Sequence, residues 1–401
     1  MSDKSPLIHF DHHSKAFADN RASMLEQLRT TTPLAYTESH GGHWVITSYA
    51  LATIVLDKPE VFSSEKRADG TGGVTIPSVG PRLLPAETDA PLHTQLRKAL
   101  MPAYSPKALK AMDAVVREIV TETIDRVLAK GEFDIVEDIA EVVPALVGLR
   151  HLGFPEEQRA TMVEAIKIAL KTGVPGEQAA TAFQNACGQM MMFVQARRQH
   201  PVDDVMSTLT QWKEPALSDE DLKWMGLTLF VGGFKNPGAH ITNMMIHLAQ
   251  DTVLRARLIA DRSLIPKATV EFLRFYSSGV SIARNLTQDF ELGGIQLRQG
   301  ERVLILLPGV NHDEAAFENG EQFDIDRSTR NRHMAFGGGP HYCVGFKLAG
   351  MMFDTLLNEI FDRMPAYTVD FKNAVRVEDA GIQAGYDTAP AATGMPRAAA
   401  A

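Results

Sequence analysis

Cysteine is scarce in this chain: Cys187 and Cys343 are the only two in 401 residues. Two thiols make no disulfide framework, and such usage fits a reducing compartment. An excess of basic charge is missing as well. The formal charge is −9, which argues against a nucleic-acid binder, since that role needs cations to offset phosphates. It leaves room for a local basic face. No long apolar run is uninterrupted. The most apolar stretch, residues 224–250, is broken by Lys235, Asn236, Asn243 and His247, so no membrane span is expected. The opening MSDKSPLIHFDHHSK has no basic region followed by an apolar core. A signal peptide is therefore not expected, and a cytoplasmic location is. No internal repeat and no separating linker stand out, so residues 1–401 are expected to form a single domain.

What is present favours helices. Hydrophobic residues make up 45% of the chain, ample for a sizeable core. Alternation in LAYTESHGGHWVITSY (34–49) predicts a hairpin turning at Gly41–Gly42. Residues 66–85 hold four glycines and three prolines and read as a long loop. Ser105 and Pro106 mark a helix start. Leu109, Met112, Val116, Ile119, Val120 and Val127 then share one face, and Gly131 ends the helix. Further helices are expected over 156–170, 177–198, 219–250, 267–279 and after Cys343. Residues 293–308 are expected to form a second hairpin turning at Gln299–Gly300, and 391–401 a disordered tail. The fold class is mainly α with small β-sheets.

The chemistry concentrates in MAFGGGPHYCVGFKLAG (334–350). Glycines and a proline precede one cysteine, and an amphipathic helix follows. Backbone N–H groups and the positive end of a helix dipole favour a thiolate there. The glycines allow close approach to something large and flat. A thiolate so held can ligate haem iron and push electron density onto it, which favours O–O cleavage. The run Phe336-Gly337-x-Gly339-x-His341-x-Cys343-x-Gly345 resembles the haem-binding loop of bacterial cytochromes P450, and the likeness extends along essentially the whole chain. It implies the cytochrome P450 fold, with haem b between a distal helix and the cysteine loop and Cys343 as the iron ligand. Cys187 has no motif around it and reads as a core residue.

Other segments match the same family. Glu271-Phe272-Leu273-Arg274 is similar to its structural E-x-x-R pair, and the spacing puts both side chains on one helix face. ETDAPLHTQLRKAL (87–100) resembles the helix over one haem edge, with His93 and Arg97 four residues apart. Two donors on one face suit carboxylates. By the resemblance His93, Arg97, Arg284 and His341 are expected to hold the haem propionates.

VGGFKNPGAH (231–240) matches the middle of the distal helix. Three glycines and a proline cost a helix about 6 kcal/mol relative to alanine. Either no helix forms here or something local compensates, and a bent distal helix fits. Pro237 lacks an N–H, so the carbonyl of Gly233 loses its usual partner, which leaves room for water or dioxygen. The family commonly carries an acid and an alcohol at the next positions, a pair that helps deliver protons. Here these positions are Lys235 and Asn236. Lys235 can pair with an anionic substrate or a protein carboxylate, lose its charge, or point to water. The expected catalytic positions are Gly233, Lys235 and Asn236.

The resemblance implies a monooxygenase that inserts one oxygen atom of O2 into an apolar, small-to-medium organic substrate. A ferredoxin or flavodoxin with its reductase would supply electrons, docking near Arg97, Lys98, Arg332 and Lys347. Val74, Ile76, Val79, Phe230, Phe234, Val280, Ile282 and Ile382 are candidate substrate contacts. The missing acid–alcohol pair keeps two alternatives open. One is a peroxide-using or non-oxygenating enzyme (coupling, desaturation, dehydration); the other is a ligand-binding haem protein.

Overall fold

The computed structural model describes residues 6–78, 80–171, 174–379 and 381–394. Val79 and the last part of the expected tail, 395–401, lie outside the described residues. Backbone contacts divide the chain into two units.

The first unit comprises Met1–Leu96, Val270–Cys343 and Glu378–Ala384. Its centre is a six-stranded sheet in the order Leu7–Ile8, Leu34–Thr37, His43–Ile46, Arg302–Leu306, Ser281–Leu286, Phe62–Ser63. The expected first hairpin is there: Leu34 lies opposite Ile46 and Thr37 opposite His43. Gly41 and Gly42 turn it, at φ 85° and 91°, values that glycine adopts without a Cβ penalty. The second hairpin forms elsewhere than expected. Phe290–Leu292 pairs with Ile295–Leu297 around Gly293–Gly294, not around Gln299–Gly300. Arg302–Leu306 pairs instead with Ser281–Leu286 on one side and His43–Ile46 on the other. The reason lies in its side chains: Val303, Leu304 and Ile305 are all fully buried. A continuous apolar strand of this kind belongs in a sheet interior, not in an exposed hairpin.

The long loop at 66–85 is present and is pinned to this sheet. Buried Glu87 accepts backbone N–H bonds from Leu83 at 2.8 Å and Val74 at 3.1 Å. Arg302 donates to the carbonyls of Gly73 and Thr75, at 2.8 and 3.0 Å.

The second unit, Arg97–Thr269, Val344–Val377 and Gly385–Ala401, is mostly helical. Its main helices are Pro106–Lys130, Val143–Leu152, Glu156–Leu170, Gly176–Gln199, Asp219–Gln250 and Phe346–Arg363. Ser105 caps the first of these, accepting from the Ala108 N–H at 3.3 Å, and Gly131 closes it at φ 76°. A three-stranded sheet joins Thr368–Val369, Pro390–Ala392 and Glu132–Asp134. The segment from 391 therefore starts in a strand, with Ala391 opposite Phe133. The Thr393 N–H continues the pairing to the Gly131 carbonyl at 2.9 Å.

Candidate active site

The cysteine loop belongs to the first unit. Gly337 and Gly339 sit at φ 72° and 59°, where other residues are strained. A Cβ at Gly339 would overlap the Leu56 carbonyl. The Cys343 N–H donates to the Phe336 carbonyl at 3.0 Å, and Gly337 N–H to Met334 at 2.8 Å. Cys343 lies two residues before Gly345, the N-cap of helix Phe346–Arg363.

The loop is braced by a buried charge network. Arg274 and Glu271 form a two-point pair at 2.7 and 2.9 Å, and both side chains are 0% exposed. Arg274 also donates to the carbonyls of Asn311, Gly320 and Gln322. Glu271 accepts further bonds from the Asp324 N–H and Arg327. The Asn311 side chain in turn accepts the Met334 N–H at 2.6 Å, at the start of the cysteine loop.

Three of the expected cofactor-holding residues belong to the same unit. His93, on helix Leu92–Leu100, stacks on His341 with ring centroids 3.9 Å apart. Arg284, on strand Ser281–Leu286, is 4% exposed. Burial pushes its pKa down to about 10, and the Asp89 carboxylate partly offsets this, so it remains a cation at neutral pH. Among the described residues the one hydrogen bond of its guanidinium runs to the Ala283 carbonyl, at 2.8 Å. The Asp89 carboxylate is already taken by Ser63 and the Ser64 N–H. A guanidinium offers five N–H donors, so this buried one is set up for an anion from outside the protein. A carboxylate-bearing cofactor with a thiolate-seeking metal fits that donor set. Arg97 follows His93 by four residues on the same helix, in the second unit, and is half-buried.

Gly233, Lys235 and Asn236 lie on helix Asp219–Gln250 of the second unit. It starts with a capping box between Ser218 and Asp221 and runs through Pro237 as one element. The predicted helix cost is met by burial: Met225, Phe230 and Phe234 are at most 1% exposed, at about 1.5–3 kcal/mol each. The three glycines serve two purposes. A Cβ at Gly238 would lie 2.7 Å from the Ala140 carbonyl oxygen, so glycine there permits close packing on the Val136–Ala140 turn. A Cβ at Gly232 or Gly233 would meet nothing within 4 Å. With exposed Asn236 they form an open strip on the helix. Gly238→Ala is accordingly expected to destabilise the protein by about 1–3 kcal/mol through overpacking, read as a lower urea midpoint at constant slope.

Lys235 turns toward a carboxylate of the protein. Its Nζ is 3.8 Å from Glu141 Oε1, while Lys167 approaches the other oxygen of Glu141 at 3.0 Å. Sequence offered no signal for this partner, which lies far away in the chain. Because the pair is loose and part-exposed, Lys235→Ala is expected to cost about 1 kcal/mol or less and to leave substrate affinity unchanged. A selective loss of affinity for acidic substrates would contradict this placement. Phe230 and Phe234, expected at the substrate, are instead core residues of this unit, stacked 6.0 Å apart.

Comparisons with known proteins agree with this geometry. The family model for cytochrome P450 matches residues 177–378. The mycinamicin IV hydroxylase/epoxidase of Micromonospora griseorubida is 30% identical over 283 residues, covering 69% of this chain and 71% of that protein. The nocardicin C N-oxygenase of Nocardia uniformis subsp. tsuyamanensis is 30% identical, with 80% and 82% covered. Among solved structures, substrate-free CYP109E1 of Bacillus megaterium superimposes with a TM-score of 0.84 at 26% identity, covering 94% of this chain and 99% of that one. A cysteine loop braced by Glu271 and Arg274, a buried cation for an anionic cofactor and relatives over most of its length together make the chain a member of the cytochrome P450 family, a haem-thiolate oxidoreductase.

Proposed function

We propose that this enzyme inserts one oxygen atom of O2 into an apolar, small-to-medium organic substrate, and that residues 1–401 act as one cytochrome P450 domain in the cytoplasm. The observation that carries the reading is Cys343, presented by a glycine loop whose far side is fixed by the Glu271–Arg274 pair. Haem b, when bound, supplies the oxidising chemistry at its iron. Cys343 is the residue that ligates that iron through sulfur. Arg284, His93, His341 and Arg97 hold the propionates, Arg284 contributing a desolvated cation.

On the helix Asp219–Gln250, the open strip at Gly232 and Gly233 leaves space for substrate and dioxygen. Asn236 donates a hydrogen bond to a water there, and ordered water or substrate hydroxyls carry protons in place of the acid–alcohol pair. Val74, Ile282 and Ile382, all at least partly accessible, contribute the apolar contacts. Relatives named as a mycinamicin IV hydroxylase/epoxidase and a nocardicin C N-oxygenase support an organic substrate. Electrons come from an acidic ferredoxin or flavodoxin, served by a reductase, that docks on Lys98, Lys347 and Arg332, each exposed, and on Arg97. The second reading, a peroxide-driven or non-oxygenating haem-thiolate enzyme, rests on Lys235–Asn236 standing where an acid and an alcohol are usual.

Electron coupling tests the proposal. With NADH, a surrogate ferredoxin and its reductase, NADH consumed and product formed are measured for the parent and for Asn236→Thr. The expected result is coupling in the variant at least equal to the parent. A collapse of coupling on restoring the alcohol would overturn the role given to Asn236.

A further inference from the structure

Five of the chain's 13 histidines fall within residues 9–43, and three of them meet outside the haem-binding residues. His12, His13 and His40 each offer a ring nitrogen, and these three atoms lie within 4.8 Å of one another. All belong to the first unit. His12 is fully buried, and its Nδ1 has no hydrogen-bond partner among the described residues. Its other nitrogen, Nε2, donates to the Ile76 carbonyl at 2.8 Å. His40 places Nε2 on the Asp11 carboxylate at 2.8 Å. His13 places Nδ1 on the Asp379 carboxylate at 2.9 Å. His12 and His40 are thus each oriented by an oxygen acceptor at Nε2, which is how imidazoles that ligate metals are commonly held, while His13 has oxygen acceptors at both nitrogens.

We propose that His12, His13 and His40 form a binding site for a transition-metal dication of the zinc class, through one ring nitrogen of each. Three imidazoles are a suitable donor set for such ions, with water in the fourth position. The Nε2 atoms of His12 and His13 each lie 2.8 Å from the same Ile76 carbonyl oxygen, which brings the two rings together at one point. Tetrahedral zinc with bonds of about 2.0–2.1 Å needs ligand nitrogens about 3.3 Å apart, so rings set wider than this close around the ion.

The backbone is shaped for the cluster. His40 sits at φ 53°, ψ 35°, a left-handed conformation that a non-glycine residue adopts at a cost. A Cβ at Gly381 would lie 2.7 Å from His13 Nδ1, so glycine lets the Asp379 turn come alongside that ring. Through Ile76 and Asp379 the metal would tie the N-terminal segment to the loop at 66–85 and to the turn after residue 378, two of the segments expected to contact substrate.

Zinc chloride titrated calorimetrically into untagged, haem-loaded protein tests the site. The parent is expected to bind one Zn2+ per chain tightly. His40→Asn keeps a residue that tolerates the left-handed conformation and is expected to weaken binding by more than 100-fold. Asp379→Asn is expected to weaken it by about 10–100-fold. Retained haem absorbance confirms that each variant is folded. A parent that binds no Zn2+, or that binds it no more tightly than His40→Asn, overturns the proposal.

Discussion

Cys343→Ala is expected to fold, to lose turnover entirely and to lose the characteristic thiolate spectrum of the reduced carbon monoxide complex. The substitution removes one sulfur from a half-buried position. Backbone bonds from residue 343 to Phe336 and from Gly337 to Met334 hold the loop and survive the substitution. The far side is held by Asn311, Arg274 and Glu271. Circular dichroism should therefore match the parent while the spectrum changes. Retention of the thiolate spectrum in the variant would show that another group ligates the iron.

Arg274→Ala is the second large effect, of a different kind. It leaves Glu271 buried without its main partner and strips the carbonyls of Asn311, Gly320 and Gln322 of a donor. Breaking a buried pair by removing one member costs about 3–5 kcal/mol. Net stabilities are about 5–15 kcal/mol, so much of the margin is lost. The expected result is a lower urea midpoint, together with poor haem retention, because the loop at 309–340 loses its anchor. Arg274→Lys should rescue little, since an ammonium cannot span the two carboxylate oxygens and three carbonyls that the planar guanidinium reaches. Stability within about 1 kcal/mol of the parent for Arg274→Ala would contradict the anchoring role.

Local signals were enough to find much of this in sequence. The Ser105 cap, the Gly131 stop, the first hairpin and the long helices follow from capping, glycine and periodicity, and all are in place. The strand Arg302–Leu306 was legible as a strand but not in its pairing. Its partners, His43–Ile46 and Ser281–Leu286, are chosen by burial on both faces, and a local turn signal at Gly300 says nothing of that. The site divides in the same way. The cysteine loop and the E-x-x-R pair are short motifs whose chemistry is carried by adjacent residues. By contrast Glu141, the partner of Lys235, and the acceptors of the histidine cluster come from remote segments. Long-range partners leave no trace in spacing. The glycines of VGGFKNPGAH show the same limit: sequence marked the turn as unusual, while only the fold separates Gly238, which admits the Ala140 carbonyl, from Gly232 and Gly233, which face open space.

The most direct test of the central claim is product formation from a metabolite extract, followed by mass spectrometry in two arms. One arm contains isotopically labelled dioxygen, NADH and a surrogate ferredoxin with its reductase; the other contains hydrogen peroxide alone. Product bearing one labelled oxygen atom in the first arm is the result predicted for a monooxygenase built on Cys343 and Asn236. Product in the peroxide arm alone would contradict it, and would mean that the protein uses haem-thiolate chemistry without activating dioxygen.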